Sequence, residues 1–290
     1  MAEQTVGTRS GDVGGKAQPH SRQRFCRRSI TRTDVPSSDK EFLREAAQRY
    51  PSNALVLACV LSNDALPAQR RDLIEQFKQV SPDNPLVNYL SARDYSKNQQ
   101  PDLALKEFAE ASSKNGFCDF TVERVQGLEQ VYLDAGYSAA EAKALAMTSV
   151  QIPILSQLRE LGRDMSTLER QYVGASDSAS AETLARMGMG FADNLTRAGA
   201  NGLLSQMIAT VAEREFLSGL PDASYEFIAQ PIGERLAQLQ AQDKSIHEAA
   251  RFFDRWMQTA NDAQLVSYFD RLKLYGEAAA LDWARAQLSD

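Results

Sequence analysis

Pro51-Ser52-Asn53-Ala54-Leu55-Val56 returns 31 positions later as Pro82-Asp83-Asn84-Pro85-Leu86-Val87. The register holds beyond these segments, with Ile74 opposite Leu105, Phe77 opposite Phe108 and Val80 opposite Ala111. A copy of this length accommodates two short helices. Such a hairpin cannot bury its apolar face alone, so repetition at a short fixed period predicts units stacked on one another.

Outward from this repeat the chain reads as helices. Ser38-Asp39-Lys40-Glu41 has the form of a capping box opening a helix that ends at Pro51. The first copy predicts helices from Asn53 to about Asp64 and from Pro67 to Val80, the second from Asn84 to Lys97 and from Pro101 to Lys114. Proline suits the first turn, where the missing N–H has no partner to lose. Leu128, Tyr132 and Gly136 suggest a third unit, and Ser138-Ala139-Ala140-Glu141 is a second capping box.

Tyr95, Ala104, Phe108 and Ala111 stand at the spacing of tyrosine, alanine, aromatic and alanine by which the tetratricopeptide repeat family wedges its paired helices together. Residues 38–150 resemble that family. The chain departs from it in having no early tryptophan, in Ala92 where a glycine is usual, and in a period of 31 rather than the family's ~34. The resemblance implies an all-α solenoid of stacked antiparallel helix hairpins wound into a right-handed superhelix.

From residue 151 to 290 the pattern stays helical while the period blurs. Helices are predicted from Pro153 to about Val173, over a small-residue face of Ala181, Leu184, Ala185, Gly188, Phe191, Ala192 and Leu195, and from Asn201 to Leu217. Others run from Asp222 to Gln242 with a break near Pro231, from a capping box at Ser245-Ile246-His247-Glu248 to Thr259, and over Asp262–Leu274 and Glu277–Leu288. About fourteen helices, arranged as seven hairpins stacked in one direction, is the simplest reading. Residues 151–290 either continue the solenoid or form a separate C-terminal bundle.

The chain has 290 residues, 32 Lys and Arg against 38 Asp and Glu. The charge is uneven: residues 1–40 carry eight basic and four acidic groups, leaving 24 basic and 34 acidic groups beyond. An acidic body repels phosphate backbones. Residues 1–37, rich in Gly, Ser and Arg, are expected to be a disordered basic tail. Within it Arg22-Gln23-Arg24-Phe25-Cys26-Arg27-Arg28-Ser29 reads as a nucleic-acid arm, a lipid patch, a phosphorylation site or simply a solvated tail. Cys26, Cys59 and Cys118 form no disulfide or zinc pattern, and Cys59 is expected to be a small core residue. No segment reaches the ~20 apolar residues of a membrane span, and no signal-peptide centre is visible, so a cytoplasmic protein is expected.

No catalytic constellation emerges. His247-Glu248-Ala249-Ala250-Arg251 lacks the second histidine of a zinc-protease helix. Gly188-Met189-Gly190 lacks a third glycine and a preceding strand, and reads as helix packing. Met187, Met189 and Met207 read as core filling or as an adaptable surface. No metal or cofactor is expected, and the chain reads as a non-enzyme.

The family resemblance implies a concave face, lined by the first helix of each pair, that receives a peptide. On the matching positions this implies a partner-binding set of Leu86, Tyr89, Arg93, Ser96 and Lys97, continued by Glu123, Gln126, Gln130 and Asp134. Tyr89 and Arg93 would grip a carboxylate; Leu90 stands where the family's clamp has asparagine. A merely solvated face is the alternative. The expected function is a non-catalytic protein-interaction scaffold; the alternatives are a nucleic-acid-associated regulator using the basic N-terminal arm, and an accessory subunit or enzyme with a site between the two halves.

Overall fold

The computed structural model describes residues 37–150, 152–197, 202–223 and 225–287; the basic tail, the Arg22–Ser29 cluster and the Ser38 side chain of the first capping box lie outside the described residues. Among the described residues there are thirteen α-helices and no strand. They are α1 (Ser37–Arg49), α2 (Ala54–Ser62), α3 (Arg70–Val80), α4 (Pro85–Lys97), α5 (Pro101–Ser112), α6 (Thr121–Asp134) and α7 (Ala139–Ser149). The second half contributes α8 (Pro153–Gly174), α9 (Ser178–Arg197), α10 (Leu203–Leu217), α11 (Ile232–Thr259), α12 (Asp262–Tyr275) and α13 (Glu277–Ala286). None of the described helices is long and apolar enough to cross a membrane.

The punctuation of the two copies is the same in space. Asn53 Oδ1 accepts from Val56 N–H and Asn84 Oδ1 from Leu86 N–H, both at 3.1 Å, so each asparagine caps the first helix of its copy. After each of those helices the chain reverses through a left-handed non-glycine residue, Asp64 at φ 49° and Gln99 at φ 58°. A 3-10 turn at Pro67–Gln69 precedes α3, and Pro101 opens α5. Each helix from α1 to α5 packs on the next. Leu57, Leu61, Ile74, Phe77, Leu86, Leu90 and Phe108 form their common core. Across α3, α4 and α5, Glu107 accepts from Lys78 at 2.5 Å and from Asn88 at 2.8 Å, while Lys114 donates to Asn88 at 2.7 Å.

The one-directional stack of seven hairpins is corrected after α5. Helix α8 turns back and packs against α2 and α4, the first helices of the two copies, while α9 packs on α5 and α10 on α8. The cause is its apolar stripe of Ile154, Leu155, Leu158, Leu161 and Met165, which is buried in the same core as Leu57 and Leu86. The α6–α7 hairpin docks instead on α12. Glu129 on α6 accepts from Lys143 on α7 at 2.8 Å and from Lys273 on α12 at 2.6 Å, and Lys143 also donates to Asp270 at 2.5 Å.

The expected capping box at Ser245 is also corrected, because α11 runs unbroken through it. Leu239, Ile246, Ala249 and Trp256 are buried along one stripe of this helix, and continuous packing overrides the local stop signal. Residues 221–223 and 225–231 are irregular where a helix from Asp222 is expected. A capping box does form at Ser138 with Glu141, and another at Asn261 with Gln264.

Candidate ligand-binding cleft

The covering of α2 and α4 decides the fate of the predicted concave face. Leu86 and Tyr89 are both 0% exposed, which corrects the expectation that Tyr89 faces solvent. The Tyr89 ring lies 4.8 Å from Phe191 and 5.7 Å from Phe108, centroid to centroid, and its hydroxyl accepts from Asn194 Nδ2 at 2.9 Å. Burial pushes its phenol far above the ordinary tyrosine range. Arg93 does grip carboxylates, but they belong to α8: it donates to Asp164 at 2.8 Å and pairs with Glu160, and Ser96 joins Asp164 at 2.7 Å. Gln157 donates to the Ser62 carbonyl at 2.9 Å. Lys97, Glu123, Gln126, Gln130 and Asp134 remain exposed, with Gln130 bonded to Asp134 at 2.8 Å. The structure therefore does not bring the predicted set together into one open face.

An open cleft exists elsewhere. It measures ≈ 370 Å³ and lies among α6, α7, α10, α11, α12 and α13. Its walls are Val122 and Val125 of α6, Met147 of α7, Ile152 just ahead of α8, Leu203, Leu204 and Met207 of α10, Ile246 and Ala250 of α11 and Leu272 of α12. This is the size and apolar character of a small binding pocket.

Local chain geometry sets its polar groups. Phe120 adopts φ 58° at the start of α6, a left-handed conformation that costs an aromatic residue about 1–2 kcal/mol. On either side of it stand Asp119, 5% exposed with Oδ1 accepting from Thr121 N–H at 3.0 Å, and Thr121, whose buried hydroxyl has no hydrogen-bond partner among the described residues. Helix α10 starts after Gly202, which has no side chain to cap it. The cap comes from the far end of the sequence: Glu277 Oε2 accepts from Leu203 N–H at 2.5 Å. Burial raises the Glu277 carboxyl above the usual carboxylate range, against the opposing effect of that N–H. Tyr268 beneath it is 0% exposed, its hydroxyl has no partner among the described residues, and burial together with the Glu277 charge pushes its phenol up.

The basic side chains of the cleft are occupied or turned outward. The Lys273 ammonium is held by Glu129. Burial works against the charged form of Glu129, yet its bonds from Lys143 and Lys273 outweigh it and hold that carboxyl below its ordinary range. His247 sits in mid-helix rather than in a first turn, half-exposed, with Nδ1 2.8 Å from the Asp243 carbonyl. Among the described residues no three His, Cys, Asp or Glu side chains gather as a metal site.

The sequence signalled little of this cleft. Met207, read as core filling or as an adaptable surface, lines it, whereas Met187 and Met189 are partly buried against the core. Glu277 carried no signal, because its partner Leu203 lies 74 residues away. Comparison with protein-family models, with curated proteins and with solved structures returns no match.

Proposed function

We propose that this chain is a non-catalytic protein-interaction scaffold, tetratricopeptide-like over its first helices, which binds an apolar segment of a partner protein in the α6–α13 cleft rather than on the concave face of α2 and α4. The observation that carries this reading is the ≈ 370 Å³ apolar cleft, left open while the groove of the repeat is filled by the chain's own α8. Its volume suits one aromatic or two aliphatic side chains, the anchors through which helical scaffolds hold peptides.

The test is a screen of the full chain against an immobilised array of random twelve-residue peptides. It is run beside Ala250→Trp, which fills the cleft, and Leu204→Ser, which removes apolar surface at its rim, where Leu204 is 44% exposed. Circular dichroism should show all three forms folded. Peptides retained by the parent and released by both variants support the cleft. Peptides retained equally by all three place the interface elsewhere and overturn the reading.

A further inference from the structure

The cleft has an unbalanced charge. Asp119 and Glu277 both line it. Glu277 Oε2 is used by Leu203 N–H, whereas among the described residues no hydrogen bond is made to Oε1. Among the described residues no salt bridge reaches Glu277, and Lys273, whose ammonium stands in the wall, is committed to Glu129. An apolar pocket holding a carboxylate with one oxygen unused, and whose ammonium is committed to another carboxylate, is complementary to an apolar group attached to a cation. The body that carries it points the same way, with 34 acidic against 24 basic groups beyond residue 40.

We infer that the partner segment is basic: an apolar side chain fills the cleft, and a lysine or arginine beside it donates to Glu277 Oε1. This rests on the cleft being the binding site. A salt-bridged hydrogen bond formed in a partly dehydrated pocket is worth about 1.5–3 kcal/mol, or roughly ten- to a hundredfold in affinity. Glu277 would then serve twice, since one oxygen caps α10 and the other meets the partner.

The experiment uses the peptides retained on the array, resynthesised with each lysine or arginine replaced by norleucine, and titrated against the full chain and Glu277→Gln. Gln keeps an oxygen to accept from Leu203 N–H, and thermal melting of Glu277→Gln checks that α10 stays docked. For the parent, replacing one particular basic residue should weaken binding about tenfold or more. In Glu277→Gln the same replacement should change affinity less than twofold. Three results overturn the inference: retained peptides without basic residues, acidic peptides held in preference, or an unchanged lysine-to-norleucine ratio in Glu277→Gln. If such peptides still depend on Ala250 and Leu204, the cleft stands and only its charge preference falls. If they do not, the cleft itself falls.

Discussion

Glu169 shows how much one carboxyl can carry. It lies on α8 with 0% exposure, and neither oxygen has a hydrogen-bond partner among the described residues. The space exists because residue 219 is glycine, where a Cβ would stand 2.5 Å from both carboxylate oxygens. Burial raises the Glu169 carboxyl from 4.5 to about 7, with neighbouring Arg170 pulling weakly the other way. The folded state therefore binds the proton more tightly than the unfolded chain. That contribution to stability is full below about 4.5 and is lost as pH rises through about 7. Glu169→Gln removes the charge and keeps the shape. Relative to the parent it should gain about 1 kcal/mol or more at pH 8, about 2–4 °C in Tm, and much less at pH 5. Melting curves at both pH values check this, and an equal difference at the two would show that Glu169 is not the titrating group. Nothing in the sequence around Glu169 announces this burial, since an acidic residue mid-helix reads by default as solvated.

At the scale of the element, the small-residue face of α9 was legible in the sequence and is packed as its spacing requires. Ala181, Leu184, Ala185, Gly188, Phe191, Ala192 and Leu195 are all buried. Gly188 sets the closest approach, because a Cβ there would lie 2.3–2.6 Å from ring atoms of Phe216 on α10. Phe216 is itself 0% exposed and stacks 6.2 Å from Phe108, so it has no free direction in which to yield. Gly188→Ala raises helix propensity, yet it should destabilise the protein by about 1–3 kcal/mol because overpacking outweighs the local gain. Chemical denaturation gives the value, and a stabilised variant would mean that α9 and α10 can move apart freely. The same contrast explains which helix ends were readable. The prolines at 67, 101 and 153 and the Ser138 box act within one turn and were legible, whereas Ser245 was overridden by a buried stripe that extends beyond it on both sides.

For the molecule as a whole, the repeat specified its own hairpins but not what would cover them. A helix such as α4, with Leu86, Val87, Tyr89 and Leu90 all buried, is apolar on two faces, one toward α3 and α5 and the other toward α8. The sequence pattern of a groove-lining helix and of a groove filled from within differ only in that second face, and Tyr89 and Arg93 suit either. Arg93 meets the acids of α8 as it would meet those of a peptide. Residues 37–150 alone should therefore not behave as an independent unit, although they contain the whole repeat. Without α8 and α9 the surfaces of Leu57, Leu61, Leu86, Tyr89 and Leu90 lose the cover of Ile154, Leu158, Leu161 and Phe191. The isolated fragment should keep helical circular dichroism, melt without a sharp transition and enhance the fluorescence of anilinonaphthalene sulfonate several-fold over residues 37–290. Co-expression with residues 151–290 should restore the sharp transition, because the lost surface is supplied from the second half. A fragment that melts cooperatively on its own, with no dye enhancement, would mean that the repeat is self-sufficient and that α8 is an occupant its groove can release.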